Sequence, residues 1–257
     1  MKFKTFLESK CGRILYWSVL ILLAAVFLLS GLTIALYYFD GHHSQAQYQQ
    51  LAQMVQTDVA RPEETPLTAA EKYAPLLEQN EDFIGWVRID GTQVDYPVVQ
   101  KMDKKNYYLR RGFDKKYSYY GVPYAVEDTS YKEADNLVIY GHHMDNGSMF
   151  SDLAQYTSTA FYQEHKQIQF DTIDGFGTYE IIAVIKTVAG GENEFHYYKF
   201  SKAASQEEFD AYVAECKARS LYDIDISAQY GDKLITLSTC EYSKENGRLA
   251  VIAKKIN

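Results

Sequence analysis

Leu234 to Lys255 reads L-I-T-L-S-T-C-E-Y-S-K-E-N-G-R-L-A-V-I-A-K-K, and its two apolar runs flank a polar link, Ser243 to Gly247. Apolar runs on either side of a short polar link containing Gly predict a β-hairpin. Successive side chains on a strand point to opposite faces, so Thr236, Ser238 and Cys240 share one face and Ile235, Leu237 and Thr239 the other. A turn centred on Lys244 sets Arg248 directly across from Cys240, at the strand end. Cross-strand neighbours have Cβ atoms about 4.5–5.5 Å apart, so a guanidinium there reaches the space above the sulfur. Arg stays protonated and offers fixed donors, which suits it to a developing oxyanion or a substrate carbonyl. Taken alone, Arg248 is better read as a solvated hairpin charge, since exposed charges are the norm.

Outward from this hairpin, from Phe83 onward, further short β-rich runs recur: F-I-G-W-V-R-I, V-D-Y-P-V-V, N-L-V-I-Y, Q-I-Q-F-D and Y-E-I-I-A-V-I-K-T-V, most of them separated by turn residues. Many short strands at this spacing predict an antiparallel barrel or sandwich, in which closure protects the edges. With 23 Tyr and only 5 Pro, the composition also suits a packed, strand-rich domain. One helix interrupts the strands, starting at Ser205 as N-cap with Glu208 three residues on. It carries Phe209, Tyr212, Val213 and Cys216 on one face, which makes Cys216 a packing residue.

The run N-L-V-I-Y-G-H-H-M-D-N-G-S-M-F ends an apolar strand at Gly141 and delivers His142 and His143 to its mouth. Consecutive residues face opposite ways, so only one of the two imidazoles can meet Cys240; His142 is the stronger choice. His42 and His43 flank the apolar segment, and His165 and His196 lie in polar loops. The chain has three cysteines, Cys11, Cys216 and Cys240, without C-x-x-C spacing, so neither a zinc knuckle nor a disulfide framework is indicated. Two other readings remain open, a Cys216–Cys240 disulfide and a metal held by His142, His143 and Asp145, but the latter lacks a third strong ligand at recognisable spacing. The preferred reading involves no metal and no cofactor. An ordinary thiol beside an ordinary imidazole is mostly neutral at pH 7, so a reactive thiolate–imidazolium pair would be a minor form and turnover slow. A net charge of -8 argues against a nucleic-acid groove, which needs a basic surface.

At the other end, Ile14 to Phe39 contains no charged side chain and exceeds the roughly 20 apolar residues that a spanning helix needs. It is too long for a signal-peptide core and ends in Tyr-Tyr-Phe rather than small residues, which favours a retained anchor over a cleaved leader. Lys2, Lys4, Lys10 and Arg13 precede it, while Asp40 and a Gln-rich stretch follow, so the positive-inside tendency puts the N-terminus in the cytoplasm and the rest outside. The expected division is 1–13 cytoplasmic, 14–39 membrane helix, 40–80 two short helices broken near Pro62 and Pro66, forming a stalk or packing on the domain, and 81–257 catalytic domain.

T-L-S-T-C-E, the Arg eight residues after the Cys, and the strand-borne G-H-H-M-D-N-G-S-M-F together resemble the sortase family, particularly its class B members, over roughly Phe83 to Asn257. The resemblance implies a mostly β fold, an eight-stranded barrel with N-terminal helices and a helix before the Cys-bearing strand. It implies a membrane-anchored cysteine transpeptidase of Gram-positive bacteria. Such an enzyme cleaves a C-terminal sorting motif of secreted proteins after Thr and passes the acyl group to an amine of a peptidoglycan precursor. Cys240 matches the nucleophile, His142 the general acid and Arg248 the oxyanion or carbonyl donor. Ser238, Thr239 and the backbone N–H of Glu241 match substrate-contacting positions, and Asn106 with Leu109 matches the motif groove. A pilin-polymerising relative with a Lys acceptor, or a non-catalytic wall-binding module on the same fold, are the alternatives. His143 stands where an Asn is the more familiar residue.

Overall fold

The computed structural model describes residues 10–56, 67–191 and 194–257. Lys2 and Lys4, on which the membrane orientation leans, and Pro62 and Pro66, expected to break the following helices, lie outside these. Helix α1 (Lys10–Gln56) contains a stretch long and apolar enough to cross a membrane. It continues past Asp40, so the first of the two short helices expected after the anchor is the same helix as the anchor. The single Gly41 costs about 1 kcal/mol of helix propensity, and the helix continues through it.

The chain divides after His43 into two compact units. In the larger one, the end of α1 buries Tyr48, Leu51 and Val55, and helix α2 (Ala69–Gln79) buries Tyr73 and Leu76. Thr68 and Glu71 form a capping box that starts α2. The Tyr73 ring packs on Phe83 with centroids 5.6 Å apart, and its hydroxyl donates to Asp171 at 2.7 Å. Residues 44–56 and 69–79 therefore pack on the domain and do not form a free stalk.

The strands are β1 (Phe83–Arg88), β2 (Asp95–Val99), β3 (Tyr124–Ala125), β4 (Asn136–Tyr140), β5 (Gln167–Thr172), β6 (Thr178–Val188), β7 (Leu234–Cys240) and β8 (Gly247–Lys255). They close into a barrel in the order β1-β2-β3-β4-β7-β8-β6-β5. Seven of them coincide with runs expected from sequence; β3 does not, because two residues are too few to show an alternation. Helix α3 (Thr159–Glu164) precedes β5, and α4 (Gln206–Ala218) precedes β7.

Two pairings set the rim that matters. β4 runs parallel to β7 with Tyr140 opposite Ser238, so both strands end at the same rim of the barrel. β8 runs antiparallel to β7 with Cys240 opposite Arg248, so β8 begins where β7 ends. The tight hairpin requires its glycine: a Cβ on Gly247 would lie 2.2 Å from the Glu241 carbonyl oxygen. Asn246, at φ 56°, takes the left-handed conformation that an Asn tolerates.

Ser205 caps α4 by accepting from the Glu208 N–H, while the Glu208 carboxylate accepts from Ala204, one residue earlier than a capping box would have it. Phe209, Tyr212, Val213 and Cys216 of α4 are all buried in a cluster with Val138, Leu234, Ala250 and Ile252 of the sheet. Burial pushes the Cys216 thiol up to about 12, which fits a packing role. Phe209 is fully buried. Its replacement by Ala should cost about 3–5 kcal/mol, read from the urea unfolding midpoint; a loss below about 1 kcal/mol would show that α4 is not seated on the sheet.

Candidate active site

At the rim shared by β4, β7 and β8 lies a groove of about 760 Å³ whose walls include Cys240, His142 and Arg248. Each is delivered by a different segment. Cys240 ends β7, unpaired with any other sulfur and half-buried. Cys216 is also free, so no disulfide joins the two. Arg248, half-buried as the second residue of β8, donates from its guanidinium to the Gly247 carbonyl at 2.9 Å.

His142 is the second residue after β4, and the intervening Gly141 carries the strand pairing one step further by donating to the Ser238 carbonyl at 3.0 Å. Gly141 is required by packing: a Cβ there would lie 2.4 Å from the Phe150 ring. Phe150 in turn donates its backbone N–H to the His142 carbonyl at 2.9 Å. The His142 ring meets the Leu109 carbonyl at 2.7 Å through Nε2. A carbonyl only accepts, so Nε2 carries the proton, and Nδ1 is left as the ring atom able to exchange one. Burial lowers the His142 pKa below its ordinary value, the bond to Leu109 opposes this, and the Arg110 charge lowers it again.

His143 turns away from the groove. Its Nδ1 donates to the Cys240 carbonyl at 3.2 Å and its ring meets Tyr242 edge-on, in a smaller cleft with Lys186 and Glu241. The two imidazoles thus engage different partners, and among the described residues no three His, Cys, Asp or Glu side chains gather as metal ligands. His165 sits elsewhere, donating to the Asp90 carbonyl at 2.8 Å.

Ser238 and Thr239 both line the groove, but their hydroxyls are engaged: Ser238 with the Tyr197 hydroxyl, Thr239 with the Gly141 carbonyl at 2.8 Å. Asn106 and Leu109 also line it. Glu241 does not: its carboxylate pairs with Lys186 at 3.0 Å, and its N–H donates to the Gly247 carbonyl at 2.9 Å. The hairpin's own closure takes up the donor that the family pattern had assigned to substrate. The aromatic wall of Tyr124, Tyr140, Tyr197 and Tyr198 went unnoticed in the sequence. Tyr140 was findable, since it precedes His142 by two on one strand; Tyr197 and Tyr198 sit in a 3-10 turn that carries no periodic signal.

The close fit at Gly141 makes a direct prediction. Gly141→Ala should lower stability by about 1–3 kcal/mol through overpacking against Phe150. Combining it with Phe150→Leu should recover part of that loss in a thermal-unfolding double-mutant cycle; strictly additive losses would show that the two do not touch.

The Sortase domain family matches residues 87–256 of this chain. Sortase B of Staphylococcus aureus is 28% identical over 242 residues, covering 93% of this chain and 95% of that protein. Sortase B of Listeria monocytogenes is 29% identical over 261 residues, covering 100% of this chain and 99% of that protein. Among solved structures, the Staphylococcus aureus sortase B–substrate complex superposes with a TM-score of 0.76 at 27% identity, covering 85% of this chain and 99% of that one. The chain therefore belongs to the sortase family of cysteine transpeptidases, and its similarities lie with sortase B.

Proposed function

We propose that the protein is a membrane-tethered sortase B-like transpeptidase that uses Cys240 as nucleophile, His142 as proton donor and acceptor, and Arg248 as oxyanion donor. The observation that carries this reading is the convergence of three β-segments on one groove, with Cys240 in register against Arg248. The Cys240 thiolate adds to the scissile carbonyl carbon, and the negative oxygen of the tetrahedral adduct is met by the Arg248 guanidinium. Because the Glu241 N–H is already bonded within the hairpin, that guanidinium supplies the charged donor to the oxygen. His142 protonates the departing amine through Nδ1, leaving a thioester on Cys240. An incoming amine then attacks the thioester, gives its proton back to Nδ1, and releases the thiolate as the new amide forms.

Burial keeps most of the His142 population neutral. The protonated ring is then scarce but more acidic, which matches slow turnover with an efficient proton transfer in each event. The groove's size and its tyrosine-rich wall suit an extended peptide segment of a few residues. A related sortase B has been solved with its substrate bound, which supports a peptide in the equivalent groove here. The substrates we propose are secreted proteins with a C-terminal sorting motif, cleaved after Thr, and the acceptor is the amine of a peptidoglycan precursor. The apolar Ile14–Phe39 segment anchors the protein with its N-terminus inside and residues 81–257 on the outer face of the cell membrane.

A peptide library incubated with the full-length chain and added amines tests the assignment. Cys240→Ala should abolish both cleavage and amine transfer, and Arg248→Lys should lower kcat about 10²–10³-fold, the usual consequence of losing an oxyanion donor. Transfer that persists in Cys240→Ala would refute the mechanism. In a separate measurement, Arg110→Gln removes a like charge near His142, so the imidazole midpoint followed by NMR should move to higher pH; an unchanged midpoint would rule out Arg110 as a determinant of the ring's charge.

A further inference from the structure

Two independent supports hold His142, and both lead back to one side chain on the N-terminal helix. The first fixes the ring. Its Nε2–H donates to the carbonyl of Leu109, which lies in the 3-10 turn Tyr107–Arg110. That turn is backed by Gly121, held at φ 58° and seated so closely that a Cβ on it would lie 2.8 Å from the carbonyl oxygens of both Tyr108 and Leu109. The Gly121 carbonyl accepts the hydroxyl of Tyr48, from the end of α1.

The second support fixes the backbone. The Tyr48 ring stands edge-on to Tyr96, centroids 5.4 Å apart. The Tyr96 hydroxyl accepts the N–H of Met149 at 2.9 Å, and Met149 holds a left-handed φ of 60°. A long side chain adopts that conformation at a cost, so the Tyr96 contact is part of what keeps it there. The next residue, Phe150, donates to the His142 carbonyl and packs on Gly141.

We propose that Tyr48 is a positioning residue for His142, bracing the Leu109 carbonyl through Gly121 and the Phe150 backbone through Tyr96. The last turns of the anchor helix are then part of the catalytic apparatus in addition to being a tether. Tyr48 is 4% exposed and does not line the groove, so it reaches His142 through intervening residues. Its catalytic consequence rests on the acid–base role proposed for His142, whereas the brace itself can be read without any turnover.

The test is Tyr48→Phe in the full-length chain, with the His142 imidazole titrated by NMR and the steady-state constants measured on the best peptide from the library. Phe keeps the ring against Tyr96 but leaves the Gly121 carbonyl without its donor. The Leu109 bond raises the His142 pKa, so loosening it should move the midpoint to lower pH, opposite in direction to Arg110→Gln. kcat should fall about tenfold with KM unchanged, as expected when a reacting group is slightly misplaced. Tyr73→Phe, which removes a half-buried hydroxyl bond to Asp171 from α2, is the control: it should lose stability without moving either readout. An unmoved His142 midpoint in Tyr48→Phe, or an equal shift in Tyr73→Phe, overturns the proposal. A midpoint that shifts while kcat stays constant upholds the brace and counts against His142 as the proton donor.

Discussion

The parallel pairing of β4 with β7 is the constraint on which everything at this rim depends. Parallel neighbours end on the same side, so the chain leaving β4 and the chain leaving β7 must emerge together. Tyr140 opposite Ser238 then fixes the offset: His142 is two residues past the first and Cys240 two past the second. A slip of one residue would turn Cys240 into the other layer of the sheet. Such a slip is resisted on both sides, because Thr236 bonds Asn136 at 2.8 Å below the rim and Thr239 bonds the Gly141 carbonyl at 2.8 Å above it. The threonines of the T-L-S-T run are thus register pins between the strands that carry the imidazole and the sulfur.

Their reach explains which parts of the site could be read from the chain alone. The hairpin is local: alternation plus a short polar link suffices to place Arg248 opposite Cys240, and the observed register is that one. The pairing of β4 with β7 joins residues about a hundred positions apart, and no periodicity encodes it. From the sequence, His142 is chosen for its place at the end of an apolar strand and matched to a family role, without the pairing that brings that strand beside β7. Tyr197, Tyr198 and the two-residue β3 were missed for the same reason, since each is defined by what it meets across the fold.

Glu241 shows the opposite limit, where a pattern carried over from a family meets local geometry. A hairpin this tight brings Gly247 so near Glu241 that the backbone bond between them forms as part of the turn. The donor is spent on closing the loop, and the Glu241 carboxylate is held by Lys186, with burial opposing and the bonds to Ser243 and Lys186 lowering its pKa. Arg248 remains the charged donor in register with Cys240, and the same glycine that consumes one donor sets the guanidinium of the next residue in place.

The imidazole adds the last step. The role proposed for His142 needs one ring nitrogen held and the other free, and a carbonyl is well suited to the holding because it accepts only from the protonated nitrogen. Leu109 provides that carbonyl from outside the sheet, on a short 3-10 turn. Behind that turn Gly121 approaches closely, and the buried Tyr48 is bonded to the Gly121 carbonyl. The barrel positions the sulfur and the guanidinium by strand register; the imidazole, two residues beyond β4, meets the Leu109 carbonyl outside the barrel, and Gly121 and Tyr48 lie behind that carbonyl.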